Sequence, residues 1–223
     1  MRIYKDEKRQ HYLKESSIEA LFSFPLDEFI EVHEYKRDEW IIQEGSVPNF
    51  LFYLIEGKAK IYVTHQNGKV SLLNFVSPKE YIGEMELLNE VYYTKGIQAS
   101  TKTICLALPL HRYRKQLLED VVFLRELSKL LSLKSTIMAA KYSQSLSFPL
   151  ENRLAEFILN TSDDGIYMEK HVTVCEFLGV SYRHLMHVLA QFCDKGLLVK
   201  EGRQYRIKQH NSLYNLAEML WNK

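Results

Sequence analysis

Five side chains in one short stretch, Ser181, Tyr182, Arg183, His184 and His187, are of types that grip phosphates or read base edges. An arginine offers paired donors to guanine O6 and N7, a contact worth ~1–3 kcal/mol of discrimination. Serine, tyrosine and histidine donate and accept single hydrogen bonds. Such chemistry needs a helix that shows these residues together. Leu185, Val188, Leu189 and Phe192 recur at i, i+3, i+4 and i+7, which is one helical face. Arg183, His187 and Ala190 then point the opposite way, Tyr182 lies on the exposed first turn, and Ser181 supplies an N-cap hydroxyl.

Upstream, Val174, Phe177 and Leu178 share a face of a first helix, and Gly179 suits the turn that follows. Two helices around a Gly-containing turn form the helix-turn-helix pattern, whose second helix enters the major groove. The same window describes a helical hairpin packing a core, and alone it leaves both readings open. Downstream, Leu197-Leu198-Val199, Glu201-Gly202 and Tyr205-Arg206-Ile207 read as strand, turn and strand, a β-hairpin wing. Arg203, with Lys200 and Arg206 nearby, is either a phosphate contact that sets register or a solvated turn residue. Asn211 and Ser212 are expected to cap a last helix with Leu213, Leu216, Ala217 and Leu220 inward.

Composition limits these readings. The chain has 223 residues, 46% of them apolar, and a formal net charge of +1. That is enough to fill a core and argues for neither a basic nucleic-acid binder nor a membrane surface. Residues 148–223 hold nine Lys/Arg and nine Asp/Glu, so DNA binding requires local clustering of charge. Three cysteines, Cys105, Cys175 and Cys193, show no CxxC spacing, which excludes a disulfide framework and a zinc site from pattern alone. They read as small buried hydrophobes in a reducing compartment. The start, MRIYKDEKRQHY, has no apolar h-region and no run approaches a spanning length. A soluble cytoplasmic protein is expected, without a membrane partner.

The elements that must carry this reader come in order. Residues 1–30 read as short helical pieces, with Ile18, Leu21 and Phe22 on one face and Pro25 as a break. Over 31–110, apolar runs (WIIQ, FLFYLI, AKIYV, VSLLNFV, ICLALPL) alternate with turn signals, among them the Asn67–Gly68 hairpin. This spacing predicts an all-β sandwich or barrel. His111–Leu118 makes a short helix, and a long one follows to about Ser145. Its apolar stripe includes Leu124, Leu127, Leu131, Ile137 and Met138, interrupted by Lys134. A helix of ~25 residues is ~38 Å long, more than a small sandwich covers. It serves either as a surface helix or as a parallel dimer helix, the latter giving a homodimer. Phe148-Pro149 ends it, and Leu150–Asn160 is amphipathic with Leu154, Phe157 and Ile158 inward. The fold class is α+β: a β-sandwich over 1–118, a dimerisation helix over 119–147, and a winged helix-turn-helix over 148–223.

This order of parts resembles the CRP/FNR family of bacterial transcription regulators across roughly residues 30–210. The motifs are KRDEWIIQE (Lys36–Glu44) with Gly45, LFYLIEGKAKIY (Leu51–Tyr62), YIGEMEL (Tyr81–Leu87), the Phe148–Leu159 helix and Val174–Leu198. Any one is weak; five in order are specific. SFPLENRLAEFIL and FLGVSYRHLMHVLAQF are similar to the YeiL-type subgroup.

The resemblance implies a jelly-roll, cyclic-nucleotide-binding-like sensory domain. It implies a homodimer on a palindromic operator in double-stranded DNA, contact with RNA polymerase, and no enzyme activity. It assigns base contacts to Tyr182, Arg183 and His187, and phosphate or capping roles to Ser181 and His184. Many relatives carry Glu where Arg183 stands and Arg where His187 stands, so the implied operator differs from the usual half-site. In cyclic-AMP binders a Gly-Glu pair meets ribose and phosphate, as Gly83 and Glu84 would here. The following Arg-Ser pair falls on Thr94 and Lys95, and lysine lacks the guanidinium fork. The adenine-facing Thr-Ser pair falls on Met138-Ala139, which cannot hydrogen-bond an adenine edge. The effector implied is therefore not cyclic AMP, or there is none, and no cofactor is expected. No cysteine precedes Cys105, which excludes the oxygen-sensing branch's cluster. His33, His65 and His111 are lone histidines, poor grounds for haem. Two alternatives remain: a thiol-redox or small-molecule sensor, with Cys105 in an apolar strand, and a cupin-type metal enzyme, for which the sandwich shows no His-x-His.

Overall fold

The computed structural model describes every residue except 5, 27–28, 90–92 and 221–223. It forms two compact units, Met1–Lys134 and Ser135–Lys223.

The first unit opens with strand β1 (Arg2–Tyr4), helix α1 (Asp6–Ser16) and a 3₁₀ turn at Ile18–Leu21. The helical expectation for residues 1–30 is therefore corrected at its start: β1 pairs antiparallel with β2 (Glu31–Tyr35), placing Ile3 opposite His33. A three-residue strand leaves no period to detect. The strands continue as β3 (Trp40–Ile42), β4 (Phe50–Glu56), β5 (Ala59–Thr64), β6 (Val70–Val76) and β7 (Tyr81–Ile82). Helix α2 (Glu84–Leu88), β8 (Gly96–Ala99), β9 (Thr103–Pro109) and helix α3 (Leu110–Glu119) follow. One sheet runs β1-β2-β9-β4-β7 and the other β3-β8-β5-β6.

Two cores explain the strand sequences. Phe52, Leu54, Cys105 and Ala107 join Ile42, Ala59, Val76 and Ile97 between the sheets. Leu51, Tyr53, Ile104, Leu106 and Leu108 face the other way, onto Leu13, Ile18, Leu117, Phe123 and Leu127. The five-stranded sheet is thus a middle layer. This is why ICLALPL is a continuous apolar run: every residue of β9 is buried. The β5–β6 connection holds the expected hairpin, but with a three-residue loop. The His65 N–H donates to the Lys69 carbonyl at 2.8 Å and Gly68 takes φ +77°, as three-residue hairpins with a left-handed glycine do.

Helix α4 (Val121–Ser147) is the long helix. Asp120 fixes its start. One carboxylate oxygen accepts the Val122 N–H at 2.9 Å, the other the Ser23 N–H at 2.8 Å. Burial works to raise this carboxyl's pKa, but the hydrogen bonds from Ser23, Val122 and Phe123 outweigh it and hold it low. A depressed carboxylate adds stability above its unfolded pKa, about 3.9, and loses it as pH falls through the folded value. Asp120→Ala is expected to cost ~1–2 kcal/mol, an N-cap loss, measured by urea denaturation near neutral pH. The wild-type advantage should vanish in acid below that carboxylate range.

The α4 stripe divides between two duties. Leu127 is buried in the first unit's core, with Leu124 and Leu131 partly buried against it. Leu127 therefore serves the sandwich within its own chain. The large exposed apolar side chains on α4 are Val121, Leu133, Met138, Tyr142 and Leu146, and Ile137 is partly buried.

The second unit contains α5 (Leu150–Thr161), β10 (Ile166–Tyr167), α6 (His171–Leu178), α7 (Tyr182–Asp194), β11 (Leu198–Glu201), β12 (Gln204–Ile207) and α8 (His210–Glu218). Leu154, Phe157 and Ile158 are buried as their spacing requires. Helix α8 begins earlier than expected: Gln209 is its N-cap, and Ser212 Oγ instead donates to Gln209 Oε1 at 3.0 Å. Leu213, Ala217 and Leu220 are buried, while Leu216 is only partly so. Asn152 of α5 donates to the Leu216 carbonyl at 2.8 Å, joining α5 to α8.

Candidate nucleic-acid interface

Local sequence builds the helix-turn-helix. Helix α6 ends on Gly179, at φ +65°, where a side chain would strain the left-handed backbone. Arg153 of α5 donates to the Leu178 carbonyl at 2.8 Å, so the end of α6 is tied down. Two residues on, Ser181 caps α7, its Oγ accepting the His184 N–H at 3.2 Å. Leu185, Val188, Leu189 and Phe192 are fully buried. With that face committed, α7 turns its other face outward: Tyr182, Arg183, His184, His187 and Ala190 are all exposed. Arg183 and His187 lie one turn apart. Gln191 Nε2 lies 3.1 Å from His187 Nε2, clasping that ring on its own helix.

The wing has three strands, in the order β10-β12-β11. Ile166 and Tyr167 pair with Arg206 and Tyr205. Arg203 stands exposed on the two-residue loop between β11 and β12, after Gly202 at φ +65°. Arg206 is drawn away from a phosphate role. Its Nε and one terminal nitrogen donate to the Glu201 carboxylate at 2.8 and 3.1 Å. That pair neutralises one of the wing's cations, leaving Arg203 and Lys200 as its exposed positive charges among these three.

One residue of this surface escapes pattern reading. His171, the first residue of α6, sets its ring against Tyr182 (centroids 5.9 Å) and Tyr205 (6.2 Å). Its Nδ1 lies 3.5 Å from the Tyr182 hydroxyl. Only the fold brings residues 171, 182 and 205 together.

Gly83, Glu84, Thr94 and Lys95, the residues expected at an effector pocket, lie in the first unit. Gly83, at φ +91°, caps α2, and a Cβ there would sit 3.1 Å from the Phe50 carbonyl. Glu84 is buried, with Oε1 3.3 Å from Lys134 Nζ, and Lys134 also meets Glu80 Oε2 at 3.3 Å. The lysine that interrupts the α4 stripe is thus the partner of two carboxylates. Thr94 is buried; its carbonyl accepts the Gly45 N–H at 2.9 Å, and its hydroxyl bonds Glu86. Burial pushes the Glu86 carboxyl up, against that hydrogen bond and the charge of Lys95. Lys95 Nζ lies 5.3 Å from the Tyr93 ring centre.

The remaining candidates are accounted for locally. His33 is buried with Nε2 2.6 Å from Glu31 Oε2 and Nδ1 3.2 Å from the Tyr35 hydroxyl. Both of its ring nitrogens are engaged, which argues against His33 as a haem ligand. Cys105 is fully buried, and burial pushes its thiol far above the usual range. Burial likewise raises Cys175 and Cys193, against the thiolate character a redox sensor needs. Among the described residues no three His, Cys, Asp or Glu side chains gather as a metal group, and no helix is long and apolar enough to cross a membrane.

Comparison with known proteins agrees with this architecture. Residues 32–120 match the cyclic nucleotide-binding domain model. The chain is 42% identical to the Regulatory protein YeiL of Escherichia coli O157:H7, over 92% of this chain and 94% of that one. It is 19% identical to the cAMP-activated global transcriptional regulator CRP of Salmonella typhimurium, over 77% and 87%. A crystal structure of a CRP/FNR-family transcriptional regulator from Thermus thermophilus superposes with TM-score 0.67 at 18% identity, over 84% and 98%. The first relative covers nearly the whole of both chains, and the last shares the fold. The chain belongs to the CRP/FNR family of transcription regulators.

Proposed function

We propose that the protein is a sequence-specific regulator that binds a palindromic operator in double-stranded DNA as a homodimer in the cytoplasm. The observation that carries this reading is the outward face of α7, where Tyr182, Arg183 and His187 stand exposed opposite a fully buried apolar face. Tyr182, Arg183 and His187 read base edges, and Ser181 and His184 hold the helix start near a phosphate. Arg203 contacts phosphate from the wing and sets register. The parts are a sensory domain over 1–118, a dimerisation helix over 119–147 and a DNA-binding domain over 148–223. Family membership supports contact with RNA polymerase at the bound site.

Met138, Tyr142 and Leu146 are exposed four residues apart on α4, the spacing of one helical face. We assign this stripe, with Leu133, to the partner helix. Leu146→Glu is expected to shift the protein toward monomer in light scattering after size exclusion. A variant that stays wholly dimeric would remove Leu146 from the interface.

The effector is not cyclic AMP, or the protein acts without one. Glu80, Glu84 and Glu86 face Lys134 and Lys95 where the family's nucleotide binders neutralise a phosphate. Lys134 is already shared by two carboxylates, so an incoming phosphodiester meets surplus negative charge. Selection of duplexes from a random-sequence pool by the purified protein tests the main reading. A palindrome with half-sites about one helical turn apart is expected; failure to enrich any sequence would sink it.

A further inference from the structure

The rings in the second unit form a continuous contact chain. Phe177 meets Phe157 (5.1 Å), Phe157 meets Tyr167 (6.3 Å), Tyr167 meets Tyr205 (6.1 Å), and Tyr205 meets His171 (6.2 Å). His171 in turn meets Tyr182 at the mouth of the recognition helix. Phe157, Tyr167 and Tyr205 are buried; Tyr182, at the far end, is 53% exposed. His171 is therefore the last support between the packed interior and a residue assigned to the groove. It is also the one ring in the chain that can gain a charge at moderately acidic pH.

Its surroundings decide when that happens. Lys200 reaches it from β11, Tyr205 from β12 and Tyr182 from α7. Glu169, on the segment before α6, acts on Tyr167. Burial first, and then the positive charge of Lys200, hold the His171 ring below its usual pKa. In the unbound protein at neutral pH the ring is mostly uncharged. A phosphate at this edge of α7 would reverse the balance by offsetting Lys200 and favouring the imidazolium.

We propose that His171 is a further residue of the DNA-reading surface, one that aims Tyr182 and takes up a proton from solvent on binding, so that operator affinity rises as pH falls. The inference rests on the DNA-binding reading above. On this account His171 is a positioning residue in its neutral form and a phosphate partner in its charged form. His184 and His187 are exposed on the same face, so each needs its own control.

The test uses full-length protein and a duplex selected from a random-sequence pool, with affinity measured from about pH 6 to about pH 8 at fixed salt. Each proton taken up on binding allows at most about a tenfold gain per pH unit. The wild type should tighten as pH falls. His171→Gln should lose about one proton's share of that slope, with His184→Gln and His187→Gln measured beside it. A His171→Gln slope equal to the wild type's overturns the proposal. A wild type that binds no selected duplex at any pH overturns the DNA-binding reading instead. The second readout needs no variant. An NMR titration of the His171 ring should give a higher midpoint with duplex bound than without, and an unchanged or lower midpoint contradicts the proposal.

Discussion

Arg183→Ala is expected to weaken binding to the selected operator roughly 5- to 150-fold, the equivalent of ~1–3 kcal/mol for a bidentate arginine contact. Binding to random duplex should change little, because non-specific affinity comes from phosphates contacted elsewhere. The side chain is exposed on α7, away from the buried face formed by Leu185, Val188, Leu189 and Phe192. Its removal therefore leaves the fold of the second unit intact. Anisotropy titrations on both duplexes give the two affinities. The informative quantity is their ratio, and the base preference at one position of each half-site should relax with it. An unchanged ratio would take Arg183 out of the groove.

Phe192→Ala should produce a different kind of loss. Phe192 is fully buried on the inner face of α7. Truncating a buried Phe removes its transfer energy and leaves a cavity, together ~3–5 kcal/mol. For a small unit that is a large part of its net stability. Denaturation followed by a signal from the second unit should show the loss. Operator and random-duplex binding should then fall together near physiological temperature, because the whole surface is lost. The contrast with Arg183→Ala separates a residue that reads DNA from one that holds the reader in shape.

Much of this organisation was legible in the chain, for identifiable reasons. The α7 face could be read because Leu185, Val188, Leu189 and Phe192 repeat a helical period beside a serine cap and a glycine turn. The sandwich could be read because glycine turns separate apolar runs. What escaped were elements too short to show a period: β1, β7, β8 and β10 have between two and four residues each. The start of helix α8 escapes pattern reading because Ser212, a good capping type, bonds Gln209 instead. Periodicity places Leu127 on the α4 stripe and shows that the face is apolar, not what covers it; the sandwich core covers Leu127.

The site divides along the same line. Tyr182, Arg183 and His187 could be named from spacing on a single helix. His171 could not, since its neighbours Tyr182, Tyr205 and Lys200 come from three other elements. Arg206 and Arg203 look alike in sequence, and only the contact with Glu201 separates them. In the first unit, Lys134 reads from sequence as an interruption of an apolar stripe. Its contacts with Glu80 and Glu84 make it the counter-ion that lets those carboxylates sit where they do.

The central claim is that the outward face of α7 reads a DNA sequence. The most direct measurement is the affinity of the full-length protein for its selected palindromic duplex against a duplex of the same composition in scrambled order, at near-physiological salt. The account predicts a preference of at least about a thousandfold, the lower end for specific DNA readers. Equal affinity for the two duplexes would contradict it.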